Sequence, residues 1–333
     1  MVRRVEIREL DPHDAAQADP WYATLRAGAL ADRHSPLAVA RTALLTSLRT
    51  NRDNPNLDRR AWGAWDGDVC LGTLLLDMPR HDNTHTTELD VNVAPPFRRR
   101  GAGTALLGHG LELARSLGRT TITDEVNVPI GQTLAAWPGG RFARAHGFVS
   151  KHTEQRLLLD LPADPPAGDR PDGYEVVSWH GIPPEPWQVA FAEMHTLMDR
   201  DVATGELDRE PVVHDPQRLV AGETRLVEQG YGLVTSLALG PDGAPAAYTE
   251  MRVVGEDRVH VVQDDTFVLG AHRGRGLGTL VKAANLGRLV EQYPQARHVH
   301  TWTAEVNDAM RTINERFGFR AVETMHAVEL ALR

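Results

Sequence analysis

Two short strings in this chain have the residue types and spacing to hold a phosphate. Arg98-Arg99-Arg100-Gly101-Ala102-Gly103-Thr104 and Arg273-Gly274-Arg275-Gly276-Leu277-Gly278-Thr279 share the pattern R-x-x-G-x-G-T. Glycines at the mouth of a helix let several backbone N–H groups turn toward one point, where the helix dipole adds partial positive charge. Glycine suits the place because the backbone must come close to a ligand and adopt positive φ without a Cβ. The flanking Arg98 and Arg273 can add charge-assisted contacts. A single loop of this kind is most often a tight strand-to-helix turn, whereas its recurrence at matching places points to a pair of pyrophosphate cradles.

The elements that would position these loops also repeat. Thr121-Ile122-Thr123-Asp124-Glu125-Val126-Asn127 is echoed by Thr301-Trp302-Thr303-Ala304-Glu305-Val306-Asn307, and Gly147-Phe148 by Gly318-Phe319, in the same order after each loop. The opening segments Val5–Leu10 and Tyr174–Trp179 both read as short strands. Leu89–Val93 alternates with period two, and Leu106, Gly110, Leu113 and Leu117 mark one face of a helix that stops at Gly118. In the second half Leu280, Ala284, Gly287 and Val290 mark the corresponding face, and Pro294 ends that helix. The Pro, Gly and Asp content of 161–171 marks a linker. The reading is an α/β (α+β) chain of two tandem domains, 1–160 and 173–333, joined by 161–172, each a mixed sheet flanked by helices.

Composition narrows the class. At 333 residues two domains are expected, and 41% hydrophobic with 24% charged residues is an ordinary globular balance. A net charge of −9 gives no attraction to phosphate backbones, which disfavours nucleic acid and favours a small, cationic amine as partner. No run is long and apolar enough to span a membrane, and Met1–Leu10 lacks the apolar core of a signal peptide, so a cytoplasmic protein is expected. The single cysteine, Cys70, lies in an apolar strand and reads as a buried inert thiol. Among the 15 histidines His298-x-His300 has no third ligand at a recognisable spacing, so no metal is expected.

The order strand, R-x-x-G-x-G, helix, strand, Asn, short helix, Gly-Phe resembles motifs A and B of the GNAT acetyltransferase superfamily, most densely over 89–148 and 261–319. The two-domain layout is similar to that of mycothiol synthase, in which the C-terminal domain is the catalytic one. The resemblance implies that Arg98–Thr104 and Arg273–Thr279 bind the pyrophosphate of coenzyme A, with acetyl-CoA as co-substrate. It implies further that Val93 and Val268 pair their backbone with the pantetheine arm, that Asn307 lies beside the coenzyme, and that an acyl group passes directly to an amine.

Two family features are missing. Where many members keep a glutamate base, six positions before the pairing valine, this chain has Thr87 and Val262. Where a tyrosine acid is usual, it has Ala143 and Asn314.

An ammonium substrate must lose a proton to become a nucleophile, and a tuned carboxylate or histidine is the usual acceptor. The candidates in the second half are Glu250, Asp264, Asp265 and Glu305, with Asn314 as a hydrogen-bond donor to the leaving thiolate. Glu250 lies in an apolar strand, 247–253, where burial would raise its pKa. At least one of Asp264 and Asp265 should face the cleft, because strand neighbours alternate. Glu305 recurs as Glu125, which suits a structural role as well as a catalytic one. Asn127 and Asn307 also fit helix N-caps.

The first half carries nine more residues than the second between this Asn and Gly-Phe, an insertion expected to disrupt its short helix. The first domain is therefore expected to hold coenzyme A, and the second to catalyse. Two other classes stay open, an acyl-CoA sensor without turnover and an aminoacyl-tRNA-dependent ligase of the Fem type. The acceptor amine, the acyl length and the choice between monomer and homodimer are open as well.

Overall fold

The computed structural model describes residues 5–166 and 170–332. Residues 167–169 of the expected linker and residues 1–4 lie outside the described residues. The first half of the chain forms β1 (Glu6–Glu9), α1 (Ala15–Leu30), α2 (Arg41–Arg49), β2 (Leu57–Asp66), β3 (Val69–Pro79), β4 (Thr86–Val93), α3 (Ala102–Ser116), β5 (Thr121–Pro129), α4 (Pro138–Ala145) and β6 (Val149–Asp160). The second repeats that order with β7 (Glu175–His180), α5 (Glu185–Asp201), α6 (Pro216–Glu228), β8 (Gly232–Leu239), β9 (Pro245–Val254), β10 (His260–Val268), α7 (Leu277–Gln292), β11 (His298–Ala304), α8 (Asp308–Phe317) and β12 (Arg320–Ala331).

The chain folds as two compact units whose membership is not a single cut in sequence. Residues 154–160 belong to the second unit, and Thr204–Glu210 and the chain from Thr324 belong to the first. The first unit orders its strands β1-β2-β3-β4-β5-β12, and the second β7-β8-β9-β10-β11-β6. Each half thus contributes the end of its last strand to the other unit. No turn signal marks that event, so a boundary placed by composition falls later, at 161–172.

Inside each unit the central parallel pair is short. β4 pairs β5 only from Thr86↔Thr121 to Glu88↔Thr123, and β10 pairs β11 only from His260↔His298 to Val262↔His300. Beyond those three residues the strands part, and the edges of β4 and β10 run on toward the glycine loops. The apolar core behind β3 and β4 includes Leu74, Leu89, Leu106 and Ile122, and that behind β9 and β10 includes Val253, Val261, Leu286 and Leu289.

The helices after the loops begin and end where the sequence places them, but α7 is rotated from its expected face. Gly287 and Val290 are exposed, and the buried stripe runs through Gly278, Val281, Lys282, Asn285 and Leu289. Two polar residues lie on the core side, which an apolar count assigns to solvent. Asn285 is satisfied there, accepting from Ser236 Oγ at 3.0 Å and donating to the Val234 carbonyl at 3.0 Å. Lys282 places its ammonium over the rings of Phe317 and Phe319, 6.0 and 5.4 Å from their centres.

Two further expectations change. Asn127 lies within β5 and caps no helix, whereas Asn307 caps α8 by accepting from the Met310 N–H at 3.1 Å. The insertion does not abolish the short helix of the first half, since α4 forms over Pro138–Ala145 with a proline in its first turn.

Burial lowers the pKa of Lys282 to about 7. The unfolded lysine keeps its proton up to its ordinary 10.5, so between those values the unfolded state binds more protons and stability rises with pH. The expected outcome for Lys282→Met is a gain of at least about 1 kcal/mol at pH 7 that fades toward pH 10. Urea unfolding of both proteins at the two pH values measures it; equal stability at pH 7 would refute the burial penalty.

Candidate active site

The two glycine loops adopt the same backbone. Arg99 and Gly101 have φ of 62° and 89°, and the equivalent Gly274 and Gly276 have 76° and 77°. Gly101 and Gly276 stand at the N-cap positions of α3 and α7, and a Cβ added at either would meet nothing within 4 Å. Open space over a left-handed glycine at a helix N-terminus is the form a phosphate cradle takes. The third glycine serves packing instead: a Cβ on Gly278 would lie 3.0 Å from Ile313 Cδ1 on α8.

The leading arginines are engaged within the protein. Arg98 Nε donates to the Val93 carbonyl at 3.2 Å, and Arg273 Nε to the Val268 carbonyl at 3.0 Å. Each also meets a carboxylate, Asp32 at 3.2 Å in the first unit and Asp201 in the second. These side chains brace the loop against the preceding strand. The remaining loop residues, Arg100, Ala102, Thr104, Arg275, Leu277 and Thr279, lie in the loop or the first turn of the helix.

The units differ at the strand before the loop. β4 pairs β3 in continuous register from Gly72↔Val93 to Asp77↔Glu88. β10 instead carries a bulge: Gln263 faces Met251 and Thr266 faces Thr249, so Asp264 and Asp265 together oppose Glu250. Buried Gln263 stitches this bulge, donating to the Glu250 carbonyl at 2.7 Å and to Thr249 Oγ1 at 2.9 Å. Thr249 Oγ1 in turn donates to the Asp265 carbonyl at 3.0 Å.

The bulge also decides where the two aspartates go, in place of simple strand alternation. Asp264 pairs with Arg252, and Asp265 accepts from the Tyr248 hydroxyl at 3.2 Å. His195, on α5, completes a cluster with them. Its Nε2 lies 3.1 Å from Glu250 Oε2 and its Nδ1 3.7 Å from Asp265 Oδ2. Phe191 and Tyr248 hold the imidazole edge-on and tilted at 4.6 and 4.9 Å between ring centres. The Asp265 side chain keeps 31% of its surface accessible, against 11% for Glu250 and 12% for His195, so it is the most open of the three groups.

Charge follows from this packing. Burial disfavours the His195 imidazolium, but Glu250 and behind it Asp265 and Glu223 overcome that and raise the pKa to about 9. Burial likewise pushes the Glu250 carboxyl upward, yet His195 and Arg252 outweigh it and hold it below its ordinary value. The raised Glu250 pKa expected from an apolar strand is thus reversed by a histidine that sequence gave no reason to place there. Burial, then Asp264 and Glu250, push Asp265 to about 7. Burial and Glu250 push Glu223 of α6 to about 8.

Of the other candidates, Glu305 stands exposed in the turn after β11, where its carbonyl accepts from Arg311 at 3.3 Å. Asn314 is fully buried on α8, and its Nδ2 donates to Thr303 Oγ1 at 3.0 Å. His195, Tyr248 and Glu223 were missed by sequence reading, since they lie on separate elements and form no motif. The one available signal was a histidine within the amphipathic segment that becomes α5.

Comparison with known proteins places this geometry. Residues 31–129 match the Acetyltransferase (GNAT) family. A tandem GNAT protein from the clavulanic acid biosynthesis pathway, solved without AcCoA, matches with a TM-score of 0.83 at 29% identity, covering 98% of this chain and 98% of that one. A GCN5-related N-acetyltransferase from Sphaerobacter thermophilus shares the fold, with a TM-score of 0.67 at 18% identity over 99% of this chain and 96% of that one. Curated protein sequences give no match. With the duplicated loop, the parted strands and these likenesses in hand, the chain has the fold of a tandem GNAT protein and carries the pattern of the Acetyltransferase (GNAT) family over residues 31–129.

Proposed function

We propose that the second unit is an N-acetyltransferase that moves an acyl group from acyl-CoA directly to the amine of a small molecule, with Asp265 taking the amine's proton. The observation that carries this reading is the bulge in β10, which sets Asp265 on the strand that leads from the parted β10–β11 pair to the Gly274–Gly276 loop. The loop fits a pyrophosphate, because the place a Cβ would fill at Gly276 is open. Acetyl-CoA, the co-substrate of the GNAT family, supplies the thioester.

The protein's own residues account for the rest. A cationic amine loses one proton to become the nucleophile and a second as its nitrogen bonds to the acyl carbon. The electron pair of the breaking carbon–sulfur bond leaves on sulfur, which takes one proton to give the free thiol. Asp265 keeps part of its side chain accessible and has a pKa near neutrality, the condition under which a carboxylate accepts a proton efficiently. Tyr248 fixes its orientation, and His195 with Glu250 forms the ion pair behind it. Asn314, fully buried with an Nδ2 hydrogen on Thr303, presents no surface to the leaving thiolate and is left with a structural role. A small-molecule acceptor is supported by the likeness to a protein of clavulanic acid biosynthesis and by the net charge of −9, which suits a cationic amine.

The first unit is proposed to bind acyl-CoA without turnover. It keeps the loop backbone, but its β4 lacks the bulge that β10 carries.

Two measurements test this division. Gly276→Glu should abolish thiol release from acetyl-CoA, because a carboxylate at a left-handed position both strains the loop and repels a phosphate, whereas Gly101→Glu should keep most activity. Equal losses in two folded variants would contradict the assignment. Asp265→Asn should lower kcat by about 10²–10⁴-fold against a panel of small amines, with coenzyme A binding by calorimetry unchanged. Retention of wild-type kcat would remove Asp265 as the proton acceptor.

A further inference from the structure

Unsatisfied buried polar atoms gather at one place in the second unit. Among the described residues, His195 Nε2, Glu250 Oε2 and Glu223 Oε2 are all buried and all lack a hydrogen-bond partner. The 3.1 Å approach of His195 Nε2 to Glu250 Oε2 is an ion-pair contact. Glu250 and Glu223 are each more than nine-tenths buried. His195 pairs with Glu250, so Glu223 is the buried carboxylate left without a cation beside it, at a cost on the order of 1–3 kcal/mol or more unless a proton or a metal ion settles it.

The geometry points to a site for a divalent transition-metal ion of the zinc class, held by His195, Glu250 and Asp265, with the remaining position open to water. One nitrogen of His195 and one oxygen from each of Glu250 and Asp265 lie within 4.8 Å of one another. Zinc binds nitrogen and carboxylate oxygen at about 2.0–2.2 Å, so ligand atoms sharing an ion lie no more than about 4.2 Å apart. His195 turns Nε2 to Glu250 and Nδ1 to Asp265, so its ring must reorient for one nitrogen to share an ion with both carboxylates. The mixture of one imidazole with carboxylates suits zinc or a similar ion better than calcium or magnesium, which prefer oxygen alone.

The supports come from separate elements. His195 is on α5, Glu250 on β9 and Asp265 on the bulge of β10. Tyr248 already donates to Asp265 Oδ2, an outer contact of the kind that orients a metal-binding carboxylate. Arg252, the nearby guanidinium, is committed to Asp264. Bound metal and proton acceptance by Asp265 exclude each other, so loading the site would silence transfer. Binding itself does not rest on the transferase reading, and it is read without an acyl donor.

The test is calorimetric titration of chelator-treated protein with zinc chloride, wild type against His195→Gln and Glu250→Gln. The control is His298→Gln, which removes a histidine from the second unit's other histidine group, where His260 and His298 rings lie 5.3 Å apart. The expected result is one tight site in wild type and in His298→Gln, weakened at least about tenfold in both of the other variants. Should either of these fail to fold, Asp265→Asn, at the most accessible of the three ligands, carries the same expectation. Two results overturn the proposal: no zinc binding tighter than millimolar by wild type, or a tight site that survives His195→Gln and Glu250→Gln.

Discussion

The second unit depends on one interruption: the ladder between β9 and β10 loses its register at Asp264 and Asp265. A strand in continuous register would send these neighbours to opposite faces of the sheet, one toward the helices on either side. Two residues facing one breaks that alternation and strengthens the local twist. Asp264 is then free to pair with Arg252, while Asp265 turns to Tyr248 and His195. Gln263 makes the interruption affordable, since its buried amide supplies the donors that Thr249 and the Glu250 carbonyl would otherwise lack.

Electrostatics in the cluster follow from that geometry and from the scarcity of cations within it. Two imidazoles, His195 and His214, and one guanidinium face four carboxylates: Glu223, Glu250, Asp264 and Asp265. His195 settles Glu250, and Arg252 settles Asp264. The two carboxylates left over are the ones whose pKa values rise toward neutrality, Asp265 to about 7 and Glu223 to about 8. Burial is the largest cause in both, and pairing elsewhere leaves it uncompensated. An acid tuned by exclusion in this way needs no dedicated partner, which is why no motif announces it.

Much of the architecture was legible because it is encoded locally. The R-x-x-G-x-G-T strings specify loops whose positive φ values recur at equivalent positions, and Gly118, Pro294 and Asn307 mark helix ends as their chemistry dictates. What sequence could not show depends on contacts between distant residues. The buried face of α7 was misassigned because Lys282 and Asn285 are polar, and only the Phe317 and Phe319 rings and the Ser236 hydroxyl explain their burial. Glu250 was found, but the sign of its pKa shift was not, because His195 lies 55 positions earlier on a helix without a motif. The bulge escaped notice for a related reason: Asp264-Asp265 reads as two polar residues in a strand until the register with β9 is known.

The contrast between the units argues that duplication kept one property and let another drift. Both loops retain left-handed backbone at two matching positions, and both leading arginines brace the valine of the preceding strand. Holding that shape needs only local residues, so it survives changes elsewhere. The acid cluster needs a bulge, a glutamine to stitch it, a histidine from one helix and a glutamate from another. In the first unit β4 runs unbroken beside β3, and its acid Glu88 stands exposed on the strand. A phosphate cradle is thus the cheaper feature to preserve, and its presence in both units is weaker evidence of catalysis than the bulge that only β10 carries into a site.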